Sequence, residues 1–211
     1  MADTARPDYL RERWTECFSA LSLRAESGVF ESILRKYAEG GRAYHTLRHI
    51  EECFEQFDRV SSMSSPGAVG LALWFHDAIY DPRASDNELR SALWAREVLV
   101  DAKAANAVID QIQSMILATR HDAKPADGDT KILLDIDLSI LGANRDRYGE
   151  YEVQVRKEYE WVDEVIFRQE RIKILRRFLD RPSIYTTGDF RDRFEVIARN
   201  NLQHSISVLS R

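Results

Sequence analysis

Residues 68–75 read Ala-Val-Gly-Leu-Ala-Leu-Trp-Phe, and His76-Asp77 follows at once. A segment with no polar side chain belongs inside a fold, and it carries the polar pair at its end inside with it. An ionised carboxylate buried without a partner is costly, so it is paired or it coordinates a metal. Two readings of His76-Asp77 follow: a structural histidine bonded to a neighbouring carboxylate, or two ligands of one divalent cation. The run is far short of the ~20 apolar residues that span a bilayer, so it is expected to be a buried core segment. The rest of the chain suits such a core. Its 211 residues are 44% hydrophobic and 31% charged, ordinary values for a globular domain that needs no disulfides. Cys17 and Cys53 form no C-x-x-C pair, which fits a reducing compartment. The net charge of −5 weighs against a general nucleic-acid or membrane-surface binder. The polar residues 1–8 carry no apolar segment of the signal-peptide kind. The expectation is a soluble, cytoplasmic protein.

Apolar residues recur at three- and four-residue steps almost throughout, which predicts helices. Leu10, Trp14, Cys17, Phe18 and Leu21 make one stripe, and Val29, Phe30, Ile33, Leu34 and Tyr37 make a second that stops at Gly40-Gly41. A third helix carries His49, Ile50, Cys53, Phe54 and Phe57. Ser65-Pro66 reads as an N-cap with proline in the first turn, opening the helix that leads to His76. Ser85-x-x-Glu88 has the form of a capping box before Leu89, Ala92, Leu93 and Leu99. Ala105, Val108, Ile109, Ile112, Met115 and Ile116 give the cleanest stripe, running toward Arg120-His121. A polar loop is expected over 122–129, then the apolar stretch Leu133-Leu134-Asp135-Ile136-Asp137-Leu138. Three more helices carry Tyr148, Tyr151, Val155, Tyr159 and Val162, then Ile172, Leu175 and Phe178, then Phe190, Phe194, Ile197 and Leu202. No strand alternation competes. The expected fold is all-α, a single-domain helical bundle over 1–211 with its chemistry in about 40–145 and the helices of 146–211 packing on that core.

Four of the five histidines fall between 45 and 121. His45 and His49, four apart, lie on one face of any continuous helix. His76-Asp77 comes 27 residues later, and Asp135 and Asp137 follow on another apolar segment. Imidazoles with carboxylates are the donor set of a first-row divalent ion. The order H…HD…D on helices resembles the HD superfamily of metal-dependent phosphohydrolases, and the chain as a whole is most similar to short bacterial proteins of that predicted type. Tyr44-His45-Thr46-Leu47-Arg48-His49 is also similar to the Y-H-N-x-x-H element of cyclic-nucleotide phosphodiesterases. The chain departs from those enzymes in lacking further histidines just after His76-Asp77, which weighs against a cyclic-nucleotide substrate and a two-metal site.

The resemblance implies that His49, His76 and Asp77 ligate a divalent ion (Mn, Fe, Co, Ni, Zn or Mg) and that His45 is the proton donor to the leaving oxygen. It implies Asp137 as the last ligand, with Asp135 the second choice. Asp77 then doubles as a catalytic carboxylate, and His121 is a candidate substrate contact, outer-sphere group or extra ligand. Arg42, Arg48, Arg120 and Lys124 are candidates for holding phosphate oxygens. The implied activity is hydrolysis of a nucleotide or other small phosphate ester by a metal-activated water. A second copy of the chain, as a homodimer, is a further candidate partner. Two rivals keep the fold: a di-iron oxygenase, and a metal-containing but inactive binding or regulatory module. Glu88 is read as a helix-start residue, Cys53 as core packing, and His204 as structural.

Overall fold

The computed structural model describes residues 6–121 and 128–211. Among them every regular element is helical, ten α-helices and one 3-10 helix. The chain divides into two compact units, Met1–Ile136 and Asp137–Arg211.

The first unit is built around the apolar run. Helices α1 (Pro7–Ala20), α2 (Val29–Tyr37), α3 (Leu47–Phe57), α4 (Pro66–Phe75), α5 (Asn87–Asp101) and α6 (Asn106–Ala118) lead to α7, Gly128–Asp137. Every residue of α4 from Gly67 to Phe75 is buried. It packs against α1, α3, α5 and α6, which is why it carries no polar face. Two glycines let α1 come close. A Cβ on Gly67 would stand 2.7 Å from the Cys17 carbonyl oxygen, and one on Gly70 would collide with Cys17 Sγ. Trp74 sits at the centre of an aromatic cluster, its ring centroid 5.3 Å from Phe54 and 5.5 Å from Trp14.

Helix starts follow the sequence in part. Ser65 is the N-cap of α4 with Pro66 in its first turn. The Ser65 side chain makes no capping bond; instead the Ser64 and Ser65 N–H groups donate to the Asp129 carboxylate at 2.9 and 2.7 Å. Asp129 thus belongs to the first turn of α7 rather than to the expected loop, of which 122–127 lie outside the described residues. The capping box at Ser85 is not formed. Asp86 is the N-cap of α5, because Asn87 closes the preceding turn through both its amide atoms on the Asp81 backbone, at 3.0 and 2.8 Å. The α5 stripe is also rotated from expectation: Ala92, Ala95 and Leu99 are buried, whereas Leu89 and Leu93 are each 47% exposed.

In the second unit the 3-10 helix Leu138–Gly142 leads to α8 (Arg145–Glu158), α9 (Glu164–Leu179) and α10 (Gly188–Leu209). Gly142 faces Phe194 so closely that a Cβ would meet the phenylalanine Cβ at 2.6 Å. Asn201 donates to the Leu141 and Ala143 carbonyls, each at 2.9 Å, and so pins the 3-10 helix to α10. Arg171 is buried and paired with Glu152 at 2.5 Å, and the Tyr148 hydroxyl donates to the same carboxylate at 3.0 Å. His204, read as structural, lies beside Arg145, whose Nη2 is 3.3 Å from its Nε2.

Among the described residues no helix is long and apolar enough to cross a membrane.

Candidate metal centre

The end of α4 fixes the first two groups. A helix leaves its last carbonyls without intrahelical donors, and here each finds one. His76, the C-cap residue, donates its backbone N–H to Ala72 at 2.9 Å, and its ring Nδ1 lies 2.8 Å from the Leu73 carbonyl. The Tyr37 hydroxyl donates to the Trp74 carbonyl at 3.0 Å, and the Ala78 N–H donates to Phe75 at 3.0 Å. Arg42 then donates to the carbonyls of Asp77 at 2.7 Å and Ala78 at 3.0 Å. Burial pushes the Tyr37 phenol well above its ordinary pKa, and the negative charge of Asp77 pushes it the same way.

A carbonyl oxygen only accepts, so His76 Nδ1 carries the proton and the lone pair of the neutral ring is on Nε2. This is the arrangement by which a backbone carbonyl orients a metal-binding imidazole. His76 Nε2 faces Asp77 Oδ2 at 2.9 Å and His49 Nε2 at 3.1 Å, and His49 Nε2 is 3.6 Å from the same Asp77 oxygen. His49 comes from the buried stripe of α3 and is 2% exposed, and His76 is 1% exposed. One proton on His76 Nε2 satisfies only one of its two contacts, whereas a cation satisfies all three atoms.

Asp137, the last residue of α7, completes the group. One ligand atom from each of His49, His76, Asp77 and Asp137 lies within 4.8 Å of all the others. Metal–nitrogen and metal–oxygen bonds of about 2.0–2.2 Å put neighbouring ligand atoms roughly 2.8–3.6 Å apart for bond angles between about 90° and 109°. The three contacts of 2.9, 3.1 and 3.6 Å match that spacing. Two carboxylates also supply the charge that balances a divalent ion. The residues fit a metal.

Asp135, the second choice, is fully buried on the same helix but is not one of the four. Residues two apart on a helix point about 200° apart, so only one of the pair can face a given point.

His45 does not share a helix with His49, because α3 begins at Leu47 with Thr46 as its N-cap. It occupies the bend before that helix. Its side chain is 21% exposed, Nε2 is 3.9 Å from Asp77 Oδ2, and its ring stacks on Tyr80 with centroids 4.0 Å apart. Tyr80 is a neighbour that spacing gave no reason to choose. Cys53 packs its sulfur 3.7 Å from both ring nitrogens of His49, beside the ring rather than in line with one lone pair, and is not among the four.

The remaining candidates are placed as follows. His121 lies beyond the end of α6 in a left-handed conformation, φ 55°, and is not one of the four. Arg48 pairs with Glu52 one turn on in α3, at 3.2 Å. Arg120 is exposed just after α6. Lys124 lies outside the described residues. Arg42 is placed differently from a phosphate holder: its side chain is 2% exposed and its terminal nitrogens bond backbone carbonyls.

No family model, no curated protein and no solved structure matches this chain.

Proposed function

We propose that the chain is a metal-dependent phosphohydrolase of the HD type, acting on a nucleotide or another small phosphate ester. The observation that carries this reading is the convergence of His49, His76, Asp77 and Asp137 on one point, with the His76 tautomer set by the Leu73 carbonyl. When bound, a divalent ion would supply Lewis acidity that lowers the pKa of a water ligand toward about 7. The chain's residues do the rest. Buried His49 and His76 would hold the ion together with Asp77, whose side chain is 16% exposed. His45, partly exposed and 3.9 Å from Asp77, is placed to deliver a proton to the departing oxygen, since an imidazole titrates near working pH. Its Tyr80 stack keeps the ring from swinging away.

The test is metal content by elemental analysis on protein purified without chelator or nickel resin, followed by a phosphatase and nucleotidase screen. About one transition-metal ion per chain is expected, with phosphate release that His76→Ala abolishes. Asp137→Asn should remove the metal while Asp135→Asn keeps it. Metal-free wild-type protein that stays metal-free after reconstitution with Mn²⁺, Co²⁺ or Ni²⁺ would overturn the proposal. About two irons per chain with oxygen consumption would favour an oxygenase instead.

A further inference from the structure

Arg42 ties together the two chain segments from which the centre is approached. Its Nη1 donates to the carbonyl of His45 at 3.0 Å and to that of Asp77 at 2.7 Å, and its Nη2 donates to that of Ala78 at 3.0 Å. The side chain is 2% exposed. Its guanidinium lies over the rings of Tyr37 and Tyr80, 5.1 and 5.5 Å from their centroids. Tyr80 in turn stacks on the His45 ring, and Tyr37 holds the carbonyl of Trp74. One planar cation therefore sets the bend carrying His45, the turn carrying Asp77 and the ring against His45.

Resting on the metal-centre reading above, we propose that Arg42 is a positioning residue of that centre. It holds the Asp77 carboxylate at His76 and His49, and holds His45 beside Asp77, without touching ion or substrate. The residue type matters. Three carbonyls in different directions need donors in a fixed planar fork, and a lysine ammonium is a point charge on a flexible stem. Partners one shell out from the ligands typically change metal affinity ten- to a hundredfold when lost. The sequence offered Arg42 as a phosphate holder, and the geometry gives those same donors to the backbone.

The test uses the full chain stripped of metal, with Co²⁺ as probe, because its visible absorption reports ligand geometry as well as occupancy. Wild type, Arg42→Ala, Arg42→Lys and His76→Ala are titrated, and circular dichroism checks helical content and melting. Both Arg42 variants should bind Co²⁺ roughly ten- to a hundredfold more weakly, with an altered visible spectrum. Millimolar guanidinium should restore part of the loss in Arg42→Ala. If Arg42→Ala fails to fold, Arg42→Lys carries the test alone. Wild-type affinity and an unchanged spectrum in a folded variant, with only the melting temperature lowered, would overturn the inference and leave the metal centre standing. Wild-type protein that binds Co²⁺ no better than His76→Ala would overturn both.

Discussion

Replacing Asp77 by asparagine should make the metal-free protein no less stable while abolishing its response to metal. In metal-free protein the Asp77 oxygen faces the Nε2 of His76 at 2.9 Å and that of His49 at 3.6 Å. With His76 Nδ1 protonated toward Leu73, the 2.9 Å contact sets a carboxylate against a lone pair unless a proton or cation lies between. An asparagine amide puts an N–H there, converting the contact to a neutral hydrogen bond of roughly 0.5–1.5 kcal/mol. The metal term works in the opposite direction. An ion bound only by the folded state at one hundred times its Kd stabilises it by about 2.7 kcal/mol. For a chain of this size, 1 kcal/mol moves Tm by roughly 2–4 °C. Wild type should therefore gain roughly 5–11 °C with saturating Mn²⁺ or Co²⁺, and Asp77→Asn next to nothing. Thermal melts of chelator-treated protein across a metal titration measure both terms. A variant that loses several kcal/mol without metal, beside a wild type indifferent to every first-row ion, would refute the reasoning. Asp77 would then be the partner of a protonated structural histidine.

His45→Gln keeps a polar side chain in the bend but cannot deliver a proton at neutral pH. Metal content should be unchanged while kcat falls by about 10²–10⁴; equal loss of metal would reassign His45 as a ligand. Burial pushes the Cys17 thiol up to about 12, against about 8.5 in an unfolded chain. The folded state therefore keeps its proton while the unfolded state loses it, so stability is full below pH ~8.5 and declines as pH rises toward 12. Melts between pH 7 and 10 should show that decline shrinking in Cys17→Ala, and the wild-type thiol should resist alkylation until the chain unfolds. Inorganic phosphate should bind measurably by calorimetry only to metal-loaded protein, since the four candidate ligands otherwise present two carboxylates; equal binding after metal removal would count against the metal as the phosphate's anchor.

The sequence made the helices legible because burial imposes its period on them. The stripes of α1 and α6 fall where the three- and four-residue steps put them, with Leu10, Trp14, Cys17 and Phe18, and Ile109, Ile112, Met115 and Ile116, all buried. It was less informative where tertiary contacts decide. Leu89 and Leu93 fit a stripe, but α5 turns its small residues Ala92 and Ala95 inward. The capping box at Ser85 lost to the Asn87 clamp on Asp81. At the candidate centre, the resemblance named His49, His76, Asp77 and Asp137, and the structure brings one ligand atom of each within 4.8 Å of the others. The choice of Asp137 over Asp135 depends on where α7 ends and how it is rotated, which spacing does not encode. Arg42 and Tyr80 were illegible for the same reason: their roles exist only once the bend at His45 meets the turn at Asp77.

The placement of the four candidate ligands has an electrostatic logic of its own. His76 caps the C-terminus of α4, Asp77 follows it, and Asp137 is the last residue of α7. A helix C-terminus carries about half a negative charge, so these positions suit a cation and are hostile to a bare phosphate. The interior carbonyls there are already occupied by Tyr37, the His76 ring, the Ala78 N–H and Arg42, which leaves the side-chain donor atoms as the available ligands. His49 alone comes from within a helix, and it enters from the buried face of α3. A protonated structural histidine would also be favoured at a helix end, but its single charge balances only one of the two carboxylates. A divalent cation is favoured by every one of those charges, and for that reason the metal reading is the stronger of the two that His76-Asp77 first allowed.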